Sequence, residues 1–400
     1  MIVGPKIRGF LCTTAHPDGC DANVKNQIDL TKKIISDTDK APKNVLVIGA
    51  STGYGLSSRI VSSFGYGAKT LGIVFERPAS GKRTASAGWY NTVAFEKYAA
   101  DAGIYAKTIN GDAFSDEVKQ KVIDIAKNDS IGKFDLIIYS LAAPRRNDPR
   151  SGNSYSSVLK PFKDVYSDKT VDFMNETVST VSIDPANDQE AQDTIKVMGG
   201  EDWTWWIESL DAAGLIADNA VTLAYSYIGP ELTYPIYRSG TIGKAKEDLE
   251  NQALELNKIL GDKYQGGAYV SVNKAVVTQA SAAIPVVPLY MSLLYKIMKD
   301  KGIHEGCIEQ IIRLFNNSLY SDDTIKTDEK GRIRVDDWEM KDDVQRAVAN
   351  LWPEISTDTL SQITDIKGYQ NDFYQLFGFN VDSIDYSKEV DIELPIPSIE

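Results

Sequence analysis

A doubly wound α/β fold, with a parallel sheet covered by helices on both faces, is what this sequence predicts. Three observations point to it. Short runs rich in β-branched residues alternate with longer helical patterns. The first strong run, 44–50 (NVLVIGA), is apolar throughout, as a strand buried on both faces must be. A glycine-rich string, Gly49-Ala50-Ser51-Thr52-Gly53-Tyr54-Gly55, follows it at once and leads into a helical pattern. The expected architecture is a single large Rossmann-type domain with N-terminal, mid-chain and C-terminal elaborations.

Taken in order, residues 1–43 are too many for a bare leader and should add a hairpin and a helix. The core spans 44–282. Its strands are expected at 44–50, 70–76, 105–109, 134–141, 221–228 and 267–272, and its helices at 56–63, 89–102, 115–127 and 243–260. Residues 151–187, rich in Ser, Asp, Thr and Lys, read as an inserted loop or hairpin. The stretch 284–295 is apolar on all sides, as in a buried helix, but too short and Pro-interrupted to span a bilayer. Helices are expected over 283–318 and a hairpin and tail over 319–400. In 324–338 (TIKTDEKGRIRVDDW), Ile325, Ile333 and Val335 flank a turn at Gly331, which predicts the small hairpin.

Composition excludes several classes of function. With 43 Lys+Arg against 56 Asp+Glu, the net charge is −13. A general nucleic-acid binder would present a basic surface instead. Two histidines and three cysteines leave little for a metal site, and Cys12, His16 and Cys20 lack a fourth ligand. No metal is therefore expected. The odd cysteine count and the absence of an apolar run in MIVGPKIRGF predict a cytoplasmic protein without stable membrane insertion.

The glycine string has the spacing G-x-x-x-G-x-G. Glycines let a backbone approach a pyrophosphate closely, and the helix that follows offers free N–H groups and a positive dipole end. Phe75-Glu76 closes the second strand; an acid there binds adenosine ribose hydroxyls and repels a 2′-phosphate, favouring NAD(H). Arg77, Lys82 and Arg83 lie just downstream and are compatible with that phosphate. Asp112-Ala113 and Leu141-Ala142 follow the third and fourth strands, where such sheets hold their ligands. Tyr237 and Lys246 supply an acid and an ammonium that favours its anion. Lys244 competes as the cation, and Tyr225, Tyr227 and Tyr234 as the phenol.

In order along the chain stand HPDGC, IGASTGYG, AGWYN, DAFSDE, YSLAAPRR, KVMGGEDW, AYSYIGP, YRSGTIGKAK and VSVNKAVVTQASAAIP. With these the sequence resembles, over nearly its full length, the trans-2-enoyl-CoA reductase / FabV-type enoyl-acyl-carrier-protein reductase family. That family is an enlarged branch of the short-chain dehydrogenases, marked by Tyr-x8-Lys. Tyr237 and Lys246 match with eight residues between, whereas Tyr-x3-Lys fails at Thr241.

The resemblance implies NADH-dependent reduction of the C2–C3 double bond of enoyl-CoA or enoyl-acyl-carrier protein, in fatty-acid synthesis or butyryl-CoA formation. It implies catalysis by Tyr237 and Lys246, contact of Tyr227 with the acyl thioester, and dinucleotide binding by 49–55, Phe75, Glu76, Asp112, Ala113, Leu141, Ala142, Lys246, Val276, Val277 and Thr278. It further implies a substrate lid over 283–318, no flavin, and a monomer. Arg145, Arg146, Arg150 and Arg238 are candidates for carrier phosphates, against a scattered solvated face. Trp203, Trp205 and Trp206 read as packing. A carbonyl or 3-oxoacyl reductase, and a non-catalytic NAD(H) sensor, are the competing readings.

Overall fold

The computed structural model describes residues 1–35, 40–129, 131–321 and 324–399; positions 36–39, 130, 322–323 and 400, which the predicted extension and tail include, lie outside the described residues. Its centre is a seven-stranded parallel sheet. We number its strands in chain order: β1 Asn44–Ile48, β2 Lys69–Val74, β3 Ala106–Asn110, β4 Phe134–Tyr139, β5 Ile216–Ser226, β6 Gly267–Val272 and β7 Ile333–Arg334. They lie in the order β7-β6-β5-β4-β1-β2-β3. The chain winds outward from β1 to one edge, then returns beyond β1 to build the other half. The reversal between β1 and β4 opens a crevice at the carboxyl ends of the strands.

Side-chain alternation divides the buried strand residues between two cores. Leu46, Ile48, Leu71, Ile73 and Ile137 face a layer containing Trp203 and Trp206, while Val45, Val47, Leu136 and Ile138 face the opposite layer. Helices α1 Pro17–Ile34, α2 Gly53–Ile60 and α3 Ala87–Asp101 contribute to the second layer; α4 Asp116–Asn128 contributes to the first. Local chemistry sets their ends. Ser115 caps α4 through Val118 N, with Asp116 and Glu117 in the first turn of the dipole. His16 caps α1 through its Nδ1, followed by Pro17, so this imidazole serves a helix end rather than a metal. The three cysteines are free thiols.

The extension folds as expected into a hairpin, Ile7–Arg8 with Leu11–Cys12, and then α1. The 151–187 region carries a hairpin, Tyr166–Asp172 with Thr177–Ile183. It is followed by α5 Asp188–Met198, opened by an Asn187/Glu190 capping box, and α6 Glu201–Ala212. The long α7, Thr241–Tyr264, then connects β5 to β6.

Three expectations need correction. The 324–338 hairpin does not form. Gly331 does turn, at φ +75°, but Asp328 gathers the turn by accepting from Lys330 N and Arg332 N and pairing with the Arg332 guanidinium. Ile333 and Arg334 instead join the open edge of β6, parallel to Ser271 and Val272. The C-terminal region is no tail: α10 Asp342–Leu351, a single turn α11 Leu360–Ile363, and α12 Ile366–Gln375 pack a third core. That core surrounds α8 Val287–Asp300, whose buried residues run unbroken from Val287 through Tyr295 and resume at Ile297 and Met298. Residues 283–318 are consequently not one lid, because α8 is walled in and α9 Cys307–Leu314 belongs to the sheet layer.

No helix among the described residues is long and apolar enough to cross a membrane. Nor do they contain a group of three or more His, Cys, Asp or Glu side chains arranged to hold a metal ion.

Candidate active site

The sequence-predicted positions converge at the carboxyl edge of the sheet because each follows a strand. Residues 49–55 follow β1, Phe75-Glu76 follow β2, Asp112-Ala113 follow β3, Leu141-Ala142 follow β4, Tyr227 follows β5 and 276–278 follow β6. The glycine string makes a tight cradle. Gly49 has φ +88°, and a Cβ there would lie 2.1 Å from Ser140 O; one on Gly55 would lie 1.8 Å from Gly49 O. Gly53 opens α2 at φ +53°, and its neighbour across the crevice is Thr278. Thr52 caps that helix with no side-chain hydrogen bond, leaving the first N–H groups available to a phosphate. These residues fit a dinucleotide.

Beyond the cradle, Glu76 accepts a 2.6 Å hydrogen bond from Ser51 Oγ. Asn110 fixes its backbone, accepting from Glu76 N and donating to Glu76 O. Phe75 is 78% exposed, a flat apolar side chain just past the carboxyl end of β2. Ala113 O is already engaged by Trp206 Nε1 and Lys119 Nζ, and Val277 N donates to Tyr295 Oη. What Ala113 and Val277 offer a ligand is therefore surface. Tyr54 turns its hydroxyl to Lys274 O, so its side chain braces α2 against the end of β6.

Tyr237 sits on the turn entering α7, and its backbone O accepts from Gly243 N at 2.9 Å. Its side chain is 8% exposed, and its hydroxyl has no hydrogen-bond partner among the described residues. Burial pushes that phenol well above its ordinary value. Lys246 follows on α7, 7% exposed, with Nζ 3.4 Å from Tyr225 O. Burial draws its ammonium down to about 8, opposed by the charge of Glu250 one turn later. Among the described residues no hydrogen bond joins the two side chains.

The competitors are occupied elsewhere. Lys244 is exposed and paired with Glu247, Tyr225 shares a 2.6 Å hydrogen bond with Ser58, and Tyr234 packs against the Trp203 layer. Tyr227 does accompany Tyr237: their rings meet edge to face, with centroids 5.1 Å apart.

The arginines divide. Arg146 is not on a solvated face: it is buried, bonded to Glu201 and Lys196 O, and stacked on Trp205. Arg238 is held by Glu250, which also binds Arg332. Arg150 lies over Trp205 and pairs with Glu208, while Arg145 is exposed with no ion pair among the described residues. Sequence reasoning missed Glu339, Tyr290 and Lys274. The buried Glu339 accepts from Tyr227, Tyr290 and Ala275 N, and Lys274 lies buried beside that cluster. Nothing in the local pattern of 336–342 marks Glu339, whereas Lys274, in an apolar strand end, carried a detectable signal.

A glycine cradle at the switch point of a parallel sheet, with a buried tyrosine and lysine nearby, defines a nicotinamide-dependent oxidoreductase of the Rossmann type. Residues 2–81 match the sequence model of the NAD(P)H binding domain of trans-2-enoyl-CoA reductase, and 83–320 its catalytic region. The chain belongs to the trans-2-enoyl-CoA reductase family.

A Coxiella burnetii enoyl-[acyl-carrier-protein] reductase [NADH] is 59% identical over 399 residues, covering 100% of this chain and 98% of its own. A Ruminiclostridium cellulolyticum trans-2-enoyl-CoA reductase [NADH] is 56% identical, with 100% of both chains covered. The crystal structure of Clostridium acetobutulicum trans-2-enoyl-CoA reductase in complex with NADH superposes with a TM-score of 0.96 at 46% identity, covering 100% of each chain. That of the Treponema denticola trans-2-enoyl-CoA reductase in complex with NAD gives 0.95 at 51% identity, again over 100% of each.

A third match, over 327–390, is described as an enoyl reductase FAD binding domain. The buried side chains of that segment are taken up by packing. Val344, Val348, Trp352, Tyr369 and Phe373 fill the third core, and a Cβ on Gly378 would lie 2.5 Å from His16 O. A cavity of about 100 Å³ borders Thr327, Lys330 and Arg332.

Proposed function

We propose that Tyr237 is the phenol that meets the thioester oxygen of a trans-2-enoyl substrate, with Lys246 and Tyr227 assisting. As a member of its family, the chain is an NADH-dependent oxidoreductase that reduces the C2–C3 double bond of trans-2-enoyl thioesters. NADH, when bound, supplies the hydride that reaches the β-carbon. Negative charge then gathers on the thioester oxygen, and a donor fixed beforehand at that point lowers the barrier. The Tyr237 hydroxyl, on a largely buried side chain and without a hydrogen-bond partner among the described residues, is the observation that carries this reading. Lys246 holds the nicotinamide ribose and lends its positive field to the phenol. Tyr227, packed on Tyr237, orients the acyl group.

Residues 49–55, with Thr278, receive the pyrophosphate, Leu141 and Ala142 line the crevice beside them, and Val276 and Val277 border the nicotinamide. Phe75 and Glu76 select adenosine with free ribose hydroxyls, and Asp112 and Ala113 close the adenine side. Flavin takes no part, as the filled core at 327–390 supports. The third core draws residues from Val3 to Ile396, which supports a single elaborated domain, and we propose that it acts as a monomer.

Either coenzyme A or acyl-carrier protein can present the enoyl group, so the test compares matched C4 to C12 substrates on both carriers. Purified protein should oxidise NADH with crotonyl-CoA and show no visible flavin band. NADPH should be poorer, because Glu76 repels its 2′-phosphate. Turnover of acetoacetyl-CoA but not crotonyl-CoA would replace this reading with carbonyl reduction.

A further inference from the structure

The hydrogen bonds around Glu339 carry an inference that rests on the proposed substrate contact of Tyr227. Glu339 lies on the turn between β7 and α10 and is fully buried. Its Oε1 accepts from Tyr227 Oη at 3.0 Å and from Tyr290 Oη at 2.6 Å. Its Oε2 accepts from Ala275 N at 2.7 Å, one residue before the 276–278 stretch that follows β6. Gln345, on α10, donates to Glu339 O at 2.7 Å and to Tyr290 Oη at 3.3 Å. One carboxylate thus ties β5, β6, α8 and the C-terminal segment together behind the Tyr227–Tyr237 ring pair. The charged groups nearest it are Lys274, whose Nζ donates to Ala275 O, and Asp336.

A phenol has one hydroxyl hydrogen. That of Tyr227 is committed to Glu339, so toward the acyl site Tyr227 offers ring edge and lone pair. Tyr237, 5.1 Å away by ring centroid, has its hydrogen free. We propose that Glu339 is a positioning residue of the active site: by holding the Tyr227 hydroxyl it fixes that ring against Tyr237 and leaves Tyr237 as the phenol that donates to the acyl oxygen. The C-terminal segment thereby contributes to the reaction without touching the substrate. The carboxylate is specifically required. An amide keeps one acceptor oxygen, enough for Ala275 N or for the two phenols but not for both, and its NH₂ group would donate toward Tyr227 and free the hydroxyl to turn.

The test is a double-mutant cycle of Glu339→Gln and Tyr227→Phe, read as kcat and KM for crotonyl-CoA beside NADH affinity by fluorescence. Each single variant should lose about tenfold in kcat/KM with NADH affinity held within about twofold, and the double should be no worse than the poorer single by more than about twofold. Losses that multiply would overturn the proposal while leaving Tyr227 at the substrate. Tyr227→Phe with unchanged kcat/KM would remove the substrate contact itself, and the proposal with it. Should Glu339→Gln fail to fold, Tyr290→Phe disturbs the same oxygen: a loss that disappears in the Tyr227→Phe background supports the positioning role, and one that persists there contradicts it.

Discussion

Lys246 shows how far burial alone can tune one side chain. Taking an ammonium out of water costs free energy, and the amine settles near 8 rather than above 10. The ammonium form is lost as pH rises through that value, and under the proposed assignment the field offered to Tyr237 is lost with it. The charge of Glu250 opposes the shift, so Glu250→Gln should lower the amine further. In a pH profile of kcat/KM for NADH, the alkaline limb should therefore move to lower pH in this variant. Lys274, also drawn down to about 8, feels Glu339 and Glu305 rather than Glu250, so a limb due to Lys274 would stay in place. Gly49, Gly53 and Glu76 were legible in the sequence because their roles follow from one strand-turn-helix unit. Glu339 was not, because its partners Tyr227 and Tyr290 lie 112 and 49 residues away.

Among the elements, the turn from β1 into α2 has little freedom. A Cβ on Gly55 has nowhere to go but into Gly49 O, so Gly55→Ala must open the cradle. Its NADH dissociation constant, measured by titration, should rise at least about tenfold, or ~1.4 kcal/mol. Gly67→Ala is the control: its φ is positive, as that of Gly55 is not, but a Cβ there meets nothing within 4 Å, and NADH binding should not change. Equal losses in the two variants would mean that general strain, not the cradle, is being measured. The core strands were readable because each continuous apolar run declares burial on both faces. The 324–338 hairpin failed as an expectation for a related reason: Ile333 is β-prone, but its pairing partner was decided by the unfilled edge of β6, about sixty residues earlier in the chain.

At the scale of the molecule, the third core joins the hairpin at 166–183, α8 and the C-terminal helices, and no local pattern announces it. Its aromatic residues come from segments far apart in sequence: Phe373 on α12 meets Phe173 at 4.8 Å between centroids. Phe373 is fully buried, and Phe373→Ala should cost about 3–5 kcal/mol by urea unfolding. A loss well below that would mean that this wrap is loosely packed. The same assembly explains why residues 283–318 did not fold as a lid. An all-round apolar helix needs cover on every side, and the C-terminal segment supplies it.

The proposed chemistry turns on the phenol at 237. The most direct measurement is single-turnover reduction of crotonyl-CoA by Tyr237→Phe, with NADH affinity determined on the same preparation. Loss of the donor should slow the chemical step by about 10² to 10⁴, with the dissociation constant for NADH unchanged. A variant that reduces crotonyl-CoA at the wild-type rate would contradict the assignment of Tyr237.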